Sequence, residues 1–105
     1  MDFSLKEKTA IVVGGSKGLG FGMATGLAQA GANVVLVSRN QGQLDDAAAK
    51  ISQETGNANV VGFATDITSV ENINGLVAKV CDKFGQIDIL FNGAGVNKRF
   101  SALEF

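Results

Sequence analysis

Apolar residues follow two alternating patterns along the chain, namely short continuous runs and longer segments in which every third or fourth residue is apolar. A continuous run of about five apolar residues is typical of a parallel strand that is covered on both faces. Such runs predict four strands, at Thr9–Val13, Asn33–Val37, Asn59–Ala64 and Ile87–Phe91.

The segments between the strands have the period of an amphipathic helix. The first predicted helix covers Gly18–Ala30 and the second Gln41–Thr55, where Asn40 and Gln43 are spaced as a capping pair and Gly56 is the stop signal. In the third helix, Thr68 and Glu71 have the spacing of a capping box, and Gly85 marks the end.

The spacing of large apolar residues predicts which face of each helix packs on the sheet. In the first helix these residues are Leu19, Met23, Leu27 and Ala30. In the third helix they are Val70, Ile73, Val77, Val80 and Phe84. Cys81 lies beside the second stripe, so it is expected to be a small buried apolar residue and not a reactive thiol.

The order β-α-β-α-β-α-β predicts one α/β domain over residues 1–105, with helices on both faces of a parallel sheet. Right-handed crossovers allow a Rossmann-type or a flavodoxin-like topology. For the Rossmann-type sheet the expected strand order is 3-2-1-4, which leaves the fourth strand as an exposed edge.

Composition excludes several classes of function. The chain is 46% hydrophobic and 18% charged with a net charge of -1, which argues against disorder and against binding to nucleic acid or to an anionic membrane. It has no His, so no histidine-based metal site is expected, and its single cysteine favours the cytoplasm.

The stretch V-V-G-G-S-K-G-L-G-F-G-M follows the first predicted strand. It is not a Walker loop, because Phe21 stands where the lysine should be, and Met23 interrupts the pattern G-x-G-x-x-G. What remains is G-x-x-x-G-x-G at Gly14, Gly18 and Gly20. Such a turn brings backbone amides and a helix N-terminus close to a phosphate, although glycines can also serve only a tight turn.

Together with D-I-T at Asp66–Thr68 and N-G-A-G at Asn92–Gly95, this spacing resembles the short-chain dehydrogenase/reductase family. The match covers essentially the whole chain. Two positions depart from the family pattern: Val13 replaces the usual threonine, and Gly93 replaces the second asparagine. The resemblance implies an oxidoreductase that interconverts a carbonyl and an alcohol by hydride transfer.

The resemblance also implies roles for individual residues. Ser16, Lys17 and Leu19 would line the adenosine ribose and the pyrophosphate, and Asp66 and Ile67 would face the adenine. The path from the ribose towards the nicotinamide would be lined by Asn92, Gly93, Ala94 and Gly95.

The end of the second predicted strand indicates the coenzyme. A site for NAD(H) normally places an acid there to hold the ribose 2′-hydroxyl, whereas this chain has Ser38 and Arg39. Arg39 can pair with a 2′-phosphate, and Lys17 would add a second cation. NADP(H) is therefore expected over NAD(H).

The family's catalytic Tyr-x-x-x-Lys pair has no counterpart in these 105 residues, which include no tyrosine, so no catalytic residue is assigned and little turnover is expected. Three hypotheses remain: the N-terminal portion of an oxidoreductase truncated from a longer chain, a non-catalytic NADP(H)-binding module, and a self-associating half-domain. A homo-oligomer is expected, through the exposed sheet edge or the helices. The segment V-N-K-R-F-S-A-L-E-F is similar to family members that act on sugar acids or polyols.

Overall fold

The computed structural model describes residues 5–14, 18–66 and 68–92, and the backbone of residues 102–104. The strands are β1 (Thr9–Val13), β2 (Asn33–Ser38), β3 (Val60–Ala64), β4 (Ile89–Asn92) and β5 (Ala102–Glu104). The helices are α1 (Gly18–Gln29), α2 (Gln41–Thr55) and α3 (Val70–Phe84). The predicted elements are therefore confirmed, with boundaries that shift by at most two residues.

The strands form one sheet in the order β3-β2-β1-β4-β5, and the first four are parallel. The predicted order 3-2-1-4 and the Rossmann-type fold are confirmed. The prediction of an exposed β4 edge is wrong, because β5 pairs with β4, with Leu90 opposite Leu103. The chain between Asn92 and Ala102 is too short for the crossover of a dozen or more residues that a parallel partner needs, and the pairing is antiparallel.

Both faces of the sheet are buried at β1 and β2, which explains the continuous apolar runs there. Alternate residues of each strand point to opposite faces. Val12, Val34 and Leu36 pack in the cluster that contains the buried residues of α1 and α2. Ile11, Val35 and other alternate residues pack in a second cluster with Leu76 and Val80 of α3. Among the described residues, α3 therefore covers the second face, whereas α1 and α2 cover the first.

The predicted apolar face is only partly correct for α1: Leu27 packs, partly buried, against the core cluster. The buried residues of α1 are Gly20, Ala24 and Ala28, whereas Leu19 is 54% exposed and Met23 is 36% exposed. The small residues occur at the same helical spacing as the large ones, four positions apart. A face without bulky side chains lets a helix lie close to its neighbours, so α1 packs through its small residues.

The caps of α2 are confirmed. The Asn40 side chain accepts a hydrogen bond from the Gln43 amide at 3.0 Å, and Gly56 ends the helix in a left-handed conformation with φ 74°. Gly85 ends α3 in the same way, with φ 86°.

The predicted capping box of α3 is wrong by one residue. Ser69 is the cap, and its hydroxyl accepts a hydrogen bond from the Asn72 amide at 3.3 Å. Thr68 lies one residue before this cap, and its hydroxyl donates to Asp66 at 2.6 Å.

The predicted apolar stripe of α3 is only partly correct. Val80 is buried and Phe84 packs partly against the same cluster, but Val70 is 72% exposed, and the second buried residue of α3 is Leu76. Cys81 is exposed, so its predicted burial is wrong. Leu76 and Val80 lie four residues apart and fix the inward direction of the helix, and Cys81 is turned about 100° away from Val80.

Candidate functional site

A cavity of about 300 Å³ lies at the carboxyl ends of the first three strands. It is lined by Val13, Gly14, Val37, Ser38, Arg39, Thr65 and Thr68. In an open α/β sheet, the carboxyl ends of the strands are where ligands bind, next to the point at which the strand order reverses. Here the order reverses at β1, which has β2 on one side and β4 on the other.

Gly14 forms the wall of the cavity that follows β1. It has φ 79°, a left-handed conformation that glycine adopts without strain, and its amide donates to the Val37 carbonyl at 2.7 Å. Strand β1 therefore ends at Val13, while the amide of Gly14 stays bonded to β2. Gly18, also left-handed with φ 55°, is the first residue of α1, and the N-terminus of that helix carries partial positive charge.

Ser38 and Arg39 form the wall that follows β2. Arg39 is exposed and supplies a permanent positive charge to the lining of the cavity. The Ser38 carbonyl accepts a hydrogen bond from the Thr65 amide at 2.8 Å, which joins this wall to the one that follows β3. Asn40, the next residue, caps α2 and limits the freedom of the segment that carries Arg39.

The wall that follows β3 contains a compact turn closed by Asp66. One carboxylate oxygen of Asp66 accepts hydrogen bonds from the Thr68 hydroxyl at 2.6 Å and from the Thr68 amide at 3.0 Å. The hydroxyl bond and then the amide bond hold the pKa of Asp66 below its usual value. Desolvation opposes this shift, and the charge of Arg39, the weakest of the four effects, supports it. Asp66 therefore stays ionised near neutral pH.

Replacing Thr68 with alanine is expected to raise the pKa of Asp66 part of the way to its usual value, because the hydroxyl bond is lost and the amide bond remains. A folded-state pKa that is lowered stabilises the fold above about pH 4, and the contribution is lost as the pH falls. A carboxyl NMR titration measures the shift. Thr68→Ser keeps the hydroxyl and is the control, so equal Asp66 pKa values in the two variants would contradict the assignment.

The structure brings together several of the predicted site residues. Gly14, Ser38 and Arg39 line the cavity, and Asp66 is bonded to Thr68 at its rim. Gly18, Leu19 and Gly20 form the first turn of α1, where Gly20 is buried and Leu19 is exposed. The predicted residues Ser16, Lys17, Ile67, Gly93, Ala94 and Gly95 lie outside the described residues.

Asn92 lies on the other side of β1, where it is aligned with Val13 at the end of β4. It borders a second cavity of about 300 Å³, an apolar groove between α3 and the sheet. This apolar groove is lined by Ile11, Val13, Ile73, Leu76, Val77, Ile87, Leu90 and Asn92. Val13 separates the two cavities, because it contributes to both linings.

Thr65 and Thr68 line the cavity but were not among the residues predicted to do so. The pattern D-x-T, in which a threonine two residues after an aspartate bonds to its carboxylate, is the signal that could have identified Thr68. Thr65 has no such signal, since only the pairing of β3 with β2 brings it to the cavity.

Within the described parts of the chain, no three residues among His, Cys, Asp and Glu are grouped so that they could bind a metal ion. None of the described helices has the length and apolar character that a membrane span requires.

Comparison with known proteins agrees with this geometry. The family model described as short chain dehydrogenase matches residues 8–105. The chain is 42% identical over 92 residues to an uncharacterized oxidoreductase of Staphylococcus saprophyticus, covering 88% of this chain and 39% of that protein. It is 38% identical over 104 residues to 2-dehydro-3-deoxy-D-gluconate 5-dehydrogenase of Escherichia coli, covering 98% of this chain and 39% of that enzyme.

A solved structure has the same fold. The L-sorbose reductase of Gluconobacter frateurii, in complex with NADPH and L-sorbose, superposes with a TM-score of 0.79 at 36% sequence identity. The alignment covers 86% of this chain and 34% of the reductase. The chain thus spans less than two fifths of the length of each of these three proteins.

Proposed function

The chain belongs to the short-chain dehydrogenase family, and we propose that residues 1–105 form the NADP(H)-binding, N-terminal portion of an oxidoreductase. The observation that carries this proposal is the position of Arg39, which lines the cavity next to Ser38. The described residues of this lining include one cation and no acid. A 2′-phosphate would therefore meet a guanidinium there, and no carboxylate of the lining would repel it.

The proposed site places each part of the coenzyme against a different strand end. Ser38 and Arg39, with Lys17, would bind the 2′-phosphate. The ribose and the pyrophosphate would be surrounded by Gly14, Ser16, Gly18, Leu19 and Gly20. The amides of a glycine-rich turn and the N-terminus of α1 suit an anion, which is the chemical reason for this assignment.

The adenine and the nicotinamide would occupy the two flanks of the site. Asp66 and Ile67 would face the adenine. The ionised Asp66 carboxylate could accept a hydrogen bond from the amino group of the adenine. Asn92, Gly93, Ala94 and Gly95 would line the path to the nicotinamide, on the β4 side of β1.

When it is bound, the coenzyme supplies the hydride, and the role of the protein is to bind and orient the coenzyme. The reaction proposed for the whole protein is the interconversion of a carbonyl and an alcohol. The names of the gluconate-type dehydrogenase and of the sorbose reductase support a sugar acid or a polyol as its substrate class. No catalytic residue is assigned within residues 1–105.

Titration with NADPH and NADH tests the proposed function. The chain is expected to bind NADPH with the higher affinity, and adenosine 2′,5′-bisphosphate is expected to compete with it better than adenosine 5′-monophosphate. Calorimetry gives both comparisons. Equal affinity for the two coenzymes would contradict the preference for NADP(H), and binding of neither would contradict the proposed function as a whole.

We also propose that the chain associates with itself in the cytoplasm, through helices and not through the edge of β4. Ile73 and Val77 are 39% and 40% exposed beside the apolar groove, which is the observation that favours association. Light scattering is expected to show a dimer or a larger assembly. A monodisperse monomer at high concentration would contradict this proposal and leave coenzyme binding unaffected.

A further inference from the structure

Gln41, the first residue of α2, makes an unusual set of contacts with the outer edge of the sheet. Its side-chain amide donates to the Gly62 carbonyl at 2.9 Å, and its side-chain oxygen accepts from the Ala64 amide at 2.9 Å. The same amide nitrogen also donates to Asp45 at 2.8 Å, one turn along the helix. Both the nitrogen and the oxygen of the Gln41 side-chain amide are therefore hydrogen-bonded.

These contacts take the place of the backbone hydrogen bonds that a further strand would make with β3. β3 is the last strand on its side of the sheet, so its outward backbone groups have no strand neighbour. A primary amide offers one donor and one acceptor, as a peptide group of an adjacent strand does. Gln41 thus occupies the place of a sixth strand opposite Gly62 and Ala64, where the carboxyl end of an edge strand would otherwise fray.

The position of these contacts connects them to the cavity. Ala64 is followed directly by Thr65, which lines the cavity, and then by Asp66. Gln41 itself comes two residues after Arg39, on the wall that follows β2. The side chain therefore links the chain segment that carries Arg39 to the segment that carries Thr65 and Asp66.

From this geometry we infer that Gln41 is a positioning residue, whose amide fixes the distance between the two walls of the coenzyme cavity. The inference rests on the proposed function. The Ser38 carbonyl and the Thr65 amide already join the walls on the inner side, and Gln41 adds the restraint on the outer side. Loss of Gln41 leaves the two segments bonded on one side only.

The variant Gln41→Ala is expected to fold, because α2 has other anchors on the sheet. Leu44, Ala47, Ala48 and Ile51 are buried, and Asn40 still caps the helix. The affinity can therefore be measured for folded protein, at a temperature well below the unfolding midpoint of every variant.

The test compares Gln41→Ala with Asp45→Ala in the full chain. Asp45→Ala removes the bond within α2 but leaves both bonds to β3, so it is the matched control. Gln41→Ala is expected to weaken binding of adenosine 2′,5′-bisphosphate about fivefold, the size of one net hydrogen bond. It is also expected to speed hydrogen exchange of the Ala64 and Thr65 amides, and Asp45→Ala should leave affinity within about twofold.

A purely structural role would lower the unfolding temperature of Gln41→Ala without changing its affinity or the exchange at Thr65. That result, with normal binding by the unaltered chain, would overturn the inference alone. Failure of the unaltered chain to bind the bisphosphate would overturn the proposed function, and the inference with it. The variant Gln41→Glu keeps an acceptor for Ala64 but loses the donor to Gly62, and it is expected to bind no better than Gln41→Ala.

Discussion

Replacing Arg39 with alanine is expected to weaken NADPH binding by about 10- to 100-fold and to change NADH binding by no more than about twofold. Arg39 lines the cavity beside Ser38, at the end of β2 where the 2′-position of the adenosine ribose is proposed to lie. A charge-assisted hydrogen bond contributes about 1.5 to 3 kcal/mol, which gives a change of this size. NADH has no 2′-phosphate, so its affinity does not depend on that contact.

Two further variants test the shape of the Arg39 side chain and the charge beside it. Arg39→Lys keeps the charge but not the planar donor pair, so it is expected to lie between the wild-type chain and Arg39→Ala. Ser38→Asp adds a carboxylate beside the phosphate and is expected to reverse the preference in favour of NADH. Calorimetry with both coenzymes measures each change. An equal loss of NADPH and NADH binding in Arg39→Ala would show that Arg39 supports the cavity in general and does not select the coenzyme.

Replacing Gly62 with alanine is expected to destabilise the fold by about 1 to 3 kcal/mol through overpacking. A Cβ at Gly62 would lie 2.5 Å from the Leu44 Cβ, and the Leu44 backbone carbonyl carbon is only 3.3 Å away. Because these atoms belong to or adjoin the backbone of α2, a side-chain rotation cannot relieve the clash. The helix would have to move away from β3, and Leu44 is fully buried between them.

Gly75→Ala is the matched control for Gly62→Ala. Gly75 is exposed in the middle of α3, and a Cβ there would meet nothing within 4 Å. The higher helix propensity of alanine is expected to stabilise the fold by about 0.5 to 1 kcal/mol. Urea denaturation measures both variants, with the slope of the transition as a check on two-state unfolding. A Gly62→Ala chain as stable as the wild type would show that α2 can shift on the sheet at little cost.

The sheet could be predicted from the sequence because both of its faces are buried at the inner strands β1 and β2. Ile11 and Val12 point to opposite sides of β1 and both pack in a core, so the run is apolar without interruption. The ends of α2 were equally predictable, since the Asn40 cap and the Gly56 stop depend on local chemistry alone. Local signals also located Gly14, Ser38 and Arg39 at the cavity.

The buried faces of α1 and α3 could be predicted only in part from hydrophobicity, because tertiary packing decides which apolar residues are covered. Ala24 of α1 is buried, whereas the larger Met23 beside it is 36% exposed. β5 depends on a pairing with β4 that has no signature in three residues. The contacts of Gln41 with Gly62 and Ala64 join residues more than 20 positions apart, and only the fold brings them together.

Amide chemical-shift mapping with NADPH tests most directly the claim that the carboxyl ends of the strands bind the coenzyme. The largest shifts are expected at Gly14, Ser38, Arg39 and Thr65, and adenosine 2′,5′-bisphosphate should reproduce those at Ser38 and Arg39. The polar cavity that includes Lys8, Asn33 and Gln86 involves the start of β2, at the opposite end of the sheet. Shifts confined to that cavity, or no shifts at saturating NADPH, would contradict the claim.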